Sequence, residues 1–253
     1  MPRSQDFRKI VPRVGTRFPR LRGLSAVLAG SLVFVLFVAG LNWMAKSLLA
    51  RTVASGLRQR VTVELTAGMI AEIGVLLVLI LLLRRRGLAL QSLGLWQPAP
   101  MKGWIVAGLV AALFVGFNVA LPLRAEKNLA EASLFHIYNA VSAACVAGFV
   151  EETLFRGFVM TELRLSGWGN MAQVVISSLV YGAVHATWGV ITGMFTWELL
   201  GGAVIGTAVF GCFCAATYLV SRRSLMPVIV CHGLIDLIIE PWLFMVAVSM
   251  VHH

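Results

Sequence analysis

The chain has 253 residues, 59% of them hydrophobic and only 13% charged, which excludes an ordinary soluble domain, where about a quarter of the residues carry charge. Its net charge of +10 raises nucleic acid as a partner. The basic residues stand in short runs beside apolar segments rather than along one polar face, so no nucleic-acid partner is expected and the lipid bilayer is the natural solvent.

In chain order, residues 1–23 are a basic arm. Arg3, Arg8, Lys9, Arg13, Arg17, Arg20 and Arg22 precede the first apolar run and favour a cytoplasmic N-terminus beside anionic headgroups. A cleaved signal peptide is not expected, because the apolar run is long and Asn42-Trp43-Met44-Ala45-Lys46 offers no small-residue cleavage site. Residues 24–253 are expected to form a single all-α domain, a polytopic transmembrane helix bundle of seven to eight helices. The spans fall near 24–45, 66–83, 103–122, 134–164, 171–190, 199–221 and 225–240, with a short tail from Pro241. Several of these runs have about 20 residues, enough to cross roughly 30 Å of hydrocarbon at about 1.5 Å per residue.

Breaks are expected at Arg84-Arg85-Arg86, at Pro98 and Pro100, at Pro122, at Gly167 to Gly169 and at Arg222-Arg223, where charge or backbone chemistry stops a helix. The basic breaks and Arg164 alternate with loops poorer in charge, as the positive-inside bias requires. Lys46, Arg51, Arg58 and Arg60 conflict with that scheme and suggest a re-entrant or interfacial segment. The tryptophans mostly flank the spans, as interfacial anchors do. Cys145, Cys212, Cys214 and Cys231 lie in apolar stretches without zinc or disulfide spacing and read as small buried hydrophobes. His252 and His253 are assigned no role.

The chemistry is concentrated in three spans. The fourth meets Glu151-Glu152-Thr153-Leu154-Phe155-Arg156, three ionisable groups that each cost about 2.5 to 3.5 kcal/mol at mid-bilayer. Glu152 and Arg156 share a helical face and pair, while Glu151 is turned about 100° away and left free to act. Taken alone, this cluster also reads as an interfacial salt bridge at a helix end. The fifth span has Tyr181 four residues before His185, and the seventh has His232 four residues before Asp236. A single histidine in an apolar helix is more often a packing residue than a catalyst. Polar groups on three spans, however, are expected to meet inside the bundle, and together they suffice for water activation and oxyanion stabilisation.

These residues, in order and spacing, resemble the CPBP intramembrane proteases, the Rce1-like CAAX protease or ABI family. Glu151, Glu152 and Arg156 match its first motif, Tyr181 and His185 its second, usually begun by Phe, and His232 and Asp236 its third, usually ended by Asn. The resemblance covers roughly 134–240, with Leu93-Gly94-Leu95 a weaker family-like feature. It implies an intramembrane endopeptidase acting on a membrane-associated protein or peptide. Glu151 and His185 would activate water, His232 and residue 236 would stabilise the oxyanion, and Glu152 with Arg156 would hold the helix in shape. An ionised Asp236 cannot donate to an oxyanion, so it would be protonated, as burial favours, or would orient His232.

The resemblance implies a glutamate-dependent enzyme, and the H-E-x-x-H pattern is absent, so no metal is expected. Zinc held by Glu151, His185 and His232 is the alternative. Two other functions remain open: a catalytically inactive binding or immunity-type protein of the same fold, and a proton-coupled carrier. A multi-pass protein of a prokaryotic cell membrane is expected.

Overall fold

The computed structural model describes residues 19–51, 57–124, 141–192 and 197–250. The basic arm up to residue 18 and the opening residues 134–140 of the fourth apolar run lie outside the described residues. Among the described residues all regular structure is helical.

Helix α1 spans Pro19–Arg51 and α2 Leu57–Arg85. A short 3-10 turn at Leu90–Leu93 leads to α3, Met101–Arg124. Helix α4 runs in four consecutive pieces: a π-helical Ala143–Ala147, an α-helical Gly148–Glu152, a π-helical Thr153–Val159 and an α-helical Met160–Leu165. Helices α5, Asn170–Thr192, α6, Trp197–Val220, and α7, Met226–Met250, complete seven among the described residues.

Two expectations about boundaries are corrected. No tail begins at Pro241, because α7 continues through it to Met250, and α3 passes Pro122 to Arg124. Proline in a membrane helix is tolerated, since neighbouring helices and local adjustment take up the freed backbone groups. Lys46 and Arg51 lie on the last turns of α1, and Arg58 and Arg60 on the first turns of α2. The charges that conflicted with the topology therefore extend two long helices rather than fill a loop. With 33 residues, α1 is about 50 Å long and exceeds the hydrocarbon thickness.

Among the described residues, three helices contain stretches long and apolar enough to cross a membrane, Gly23–Leu41, Thr66–Arg85 and Ala203–Val220. Apolar residues cover both faces of these helices. In α1, Val27, Phe34 and Val38 are buried while Leu28, Leu32 and Leu36 are exposed. Lipid tails are as apolar as leucine, so outward residues need no polarity. What turns inward instead is polar: Glu72 on α2, Gln173, Ser177 and Ser178 on α5, and Thr217 on α6 are all buried.

Helix α4 is the axis of the bundle, buried at every position from Val150 to Thr161. It contacts α1, α2, α5, α6 and α7. Its widest turns are the π segments, in which each N–H reaches back five residues: the Met160 N–H bonds to the Phe155 carbonyl. That carbonyl also accepts from Ser177 Oγ at 3.1 Å, and a second acceptor bond of this kind helps hold the wide turn. Helix α7 approaches α4 through two glycines. A Cβ on Gly148 would lie 3.1 Å from the Gly233 nitrogen, and one on Gly233 would lie 3.0 Å from the Ala144 carbonyl oxygen. Small residues at this crossing let the backbones meet, and His232, immediately before Gly233, is brought against Glu152.

The family-like Leu93-Gly94-Leu95 has a structural role at one end of the bundle. Gly94 has φ +102°, a left-handed conformation that glycine adopts without penalty, and a Cβ there would strike the Arg223 carbonyl. The Gly94 carbonyl accepts from the Leu225 N–H at 3.1 Å, and the Leu93 carbonyl from Tyr218 Oη at 2.9 Å. The connection before α3 is thereby tied to the turn between α6 and α7.

Candidate active site

All seven residues singled out by sequence meet in one buried cluster at the centre of the bundle. Glu151, Glu152 and Arg156 come from α4, Tyr181 and His185 from α5, and His232 and Asp236 from α7. Glu152 and Arg156 are fully buried, and Glu151 and His232 nearly so. The groups with more accessible side chains are His185 and Asp236, at 16% and 14%. The interfacial salt-bridge reading does not fit this burial.

Glu151 is the meeting point. Tyr181 Oη donates to Glu151 Oε2 at 2.7 Å, so Glu151 is held rather than left free as helical geometry alone implied. Its other oxygen, Oε1, stands 3.8 Å from His185 Nε2. His185 Nδ1 lies 2.9 Å from the Tyr181 carbonyl oxygen. A carbonyl only accepts, so Nδ1 carries the hydrogen and the neutral ring presents a lone pair at Nε2. A carboxylate oxygen and an imidazole nitrogen, both able to accept, therefore lie 3.8 Å apart between α4 and α5.

Glu152 does more than brace Arg156. Its Oε1 is 3.0 Å from Arg156 Nη1 and also 2.8 Å from His232 Nδ1. One carboxylate oxygen thus neutralises the guanidinium and orients the imidazole. His232 Nε2 then points to the opposite side, 3.9 Å from Glu151 Oε2 and 3.4 Å from Asp236 Oδ2. Arg156 Nη2 donates to the Gly211 carbonyl of α6 at 3.2 Å, and its guanidinium sits 4.5 Å over the Tyr181 ring. Arg156 Nε and Nη1 and Glu152 Oε2 are buried without a hydrogen bond, so the guanidinium is held by the ion pair, one carbonyl and the ring face, and loss of any of them leaves a costly buried charge.

Aromatic edges close the apolar side of the cluster. Phe155 meets the Tyr181 ring edge-on at 5.0 Å, and Phe210 meets the His232 ring at 4.9 Å. Phe210, the Gly211 carbonyl and the Tyr181–Glu151 bond were not evident in sequence, because an apolar residue or a backbone carbonyl in a membrane helix carries no distinguishing signal. Buried Glu72 was also missed, although the cost of a carboxylate within the second apolar run was signal enough. Among the described residues no three His, Cys, Asp or Glu side chains are grouped as metal ligands.

Residues 133–238 match the family described as type II CAAX prenyl endopeptidase Rce1-like. The matched segment contains all seven cluster residues and agrees with the CPBP resemblance of the three motifs. No curated protein and no solved structure matches the chain.

Proposed function

We propose that this chain, whose residues 133–238 carry an Rce1-like domain, is an intramembrane endopeptidase that hydrolyses a peptide bond of a membrane-associated protein or peptide. The observation that carries this reading is the facing pair of acceptors, Glu151 Oε1 and His185 Nε2, 3.8 Å apart. A water placed between them donates one hydrogen to each. Its oxygen lone pairs are left to attack a carbonyl carbon, with Glu151 as general base and His185 as orienting partner.

Tyr181 decides which carboxylate oxygen does this. Its hydroxyl occupies Oε2, which leaves Oε1 as the basic oxygen toward His185. As the water oxygen bonds to the carbonyl carbon, Glu151 takes the water proton. When the C–N bond breaks, Glu151 returns that proton to the leaving amine nitrogen. The oxyanion formed in between is stabilised by His232 in its imidazolium form, whose Nδ1–H donates to Glu152 at 2.8 Å and whose Nε2–H is then the donor to the oxyanion. Asp236, within 3.4 Å of that nitrogen, serves His232 as an orienting acceptor when ionised and adds a second donor only when protonated.

The runner-up readings, an inactive binding protein and a proton carrier, need polar groups in the bundle but not two acceptors set about one point. Comparing the proteomes of cells carrying the wild-type protein and Glu151→Ala separates these readings. Specific membrane proteins should accumulate uncleaved in the variant, and unchanged processing in both would remove the peptidase assignment.

The chemistry is proposed to need no metal, since base and oxyanion donors are all side chains. Activity should then survive strong chelation. Loss on chelation followed by recovery with zinc would instead make the metal the source of the nucleophile. The N-terminus and the loop at Arg84 to Arg86 are proposed to lie in the cytoplasm, because clusters of arginine resist translocation. A cysteine placed at position 85 should escape an impermeant thiol reagent applied to intact cells. Ready labelling there would reverse the orientation.

A further inference from the structure

Contacts between helix ends gather several arginines at one end of the bundle. Arg86, just past α2, pairs with Glu162 near the end of α4. Arg20, at the start of α1, lies over the Trp168 ring in the α4–α5 turn. Arg223, in the α6–α7 turn, donates to Asn170 Oδ1 at the start of α5, at 3.2 Å. Helix α4 therefore runs towards this arginine end, and α5 and α7 run away from it.

Burial of the polar cluster is graded along that axis in all three helices. The members nearer the arginine end, Arg156, Tyr181 and His232, are buried. The members on the far side are Glu151, His185 and Asp236, and the side chains of His185 and Asp236 are the accessible ones. Between the cluster and the arginine end, α4 is buried at every position from Glu152 to Thr161. Beyond the cluster the helices open: Val141 and Cys145 on α4 are exposed, and Ala186 and Thr187 on α5 are half-buried. A substrate carbonyl can approach Glu151 Oε1 from the far side, whereas approach from the arginine end would displace the core.

Helix rise gives the depth. His185 stands 15 residues beyond Asn170 and Asp236 10 beyond Met226, which places them about 22 Å and about 15 Å from the arginine end. The hydrocarbon is roughly 30 Å thick, so the accessible layer lies at or past its midplane. Ionisable side chains at such a depth face the bundle interior or a water-filled cavity, and the accessibility of His185 and Asp236 fits a cavity reached from the far end.

We propose that the site is entered from the end of the bundle opposite the arginines, and that its substrates are membrane proteins cut on the extracytoplasmic side of their membrane segment. The chemistry rests on the peptidase reading, and the side rests on the cytoplasmic N-terminus. The site is then roughly 8 to 15 Å below the outer face, a span of about three to five extended residues. Cleavage therefore falls within about five residues of the outer end of the substrate's apolar segment.

The test reads access and chemistry separately, with the full chain in intact cells. In a background with the exposed Cys145 and Cys212 replaced by serine, Thr187→Cys and Asp236→Cys should react with a charged, impermeant methanethiosulfonate added outside. Labelling should reach the same extent as after permeabilisation. Thr187 lies outside the cluster, so its variant reports access even if Asp236→Cys fails to fold. Arg85→Cys, at the arginine end, should react only after permeabilisation. Reaction of Thr187→Cys only after permeabilisation, or at neither position in either condition, would overturn the proposal. Cleavage sites mapped in the proteins that accumulate uncut with Glu151→Ala should lie on the outer side of their apolar segments, and sites on the cytoplasmic side would overturn the substrate class. Outside labelling of Thr187→Cys without any processing difference for Glu151→Ala would instead remove the peptidase reading and leave entry from the far end standing.

Discussion

Glu151→Gln is expected to abolish most turnover while the fold persists. The amide retains one acceptor oxygen and one NH2 group, and Tyr181 Oη, which donates at 2.7 Å, must face the oxygen. The NH2 therefore falls at the Oε1 position, 3.8 Å from the His185 nitrogen that presents a lone pair. It donates where a base must accept, so the water loses both its base and its orientation. General-base contributions are typically about 100-fold to 10,000-fold in rate, a difference that a peptide cleavage assay in detergent resolves. Turnover at the wild-type rate would transfer the role of base to another group and favour the binding or carrier reading.

Arg156→Ala should have the largest effect on stability. It strips Glu152 of its cationic partner in a fully buried setting, leaves the Gly211 carbonyl without its donor and opens space beside the Tyr181 ring. Breaking a buried ion pair from one side typically costs about 3 to 5 kcal/mol. Arg156→Lys should fall between, since it keeps the charge but not the planar fork that reaches both Glu152 and Gly211. The check is the unfolding temperature of each variant in the same detergent, and an alanine variant that melts with the wild type would mean the pair is solvated. Because Glu152 Oε1 also holds His232, both variants should lose activity along with stability. The same bond makes Glu152→Gln a change in the chemistry as well as in the fold.

The membrane class, the all-helical architecture and six of the seven cluster residues were legible in sequence for one reason. Charge and histidine are expensive in hydrocarbon, so Glu151, Glu152, Arg156, His185, His232 and Asp236 stand out against an apolar background, and their spacing on three spans matched known motifs. Span boundaries were less legible. Pro122 and Pro241 looked like stops, yet both lie inside helices, because proline's effect depends on which neighbours satisfy the backbone it frees.

By itself, then, the sequence determined the solvent, the helical class and the identity of the polar groups. Which faces pack was not in it, since Leu28 facing lipid and Val27 facing the core are equally apolar. The tertiary structure decided how the polar groups are paired. The Gly148–Gly233 crossing brings His232 to Glu152, making that carboxylate a shared partner rather than a brace. The packing of α5 on α4 sets Tyr181 on one oxygen of Glu151 and His185 beside the other. Such pairings join residues 30 or more positions apart in sequence, and their geometry depends on helix separation and on the wide turns of α4, neither of which any local spacing records.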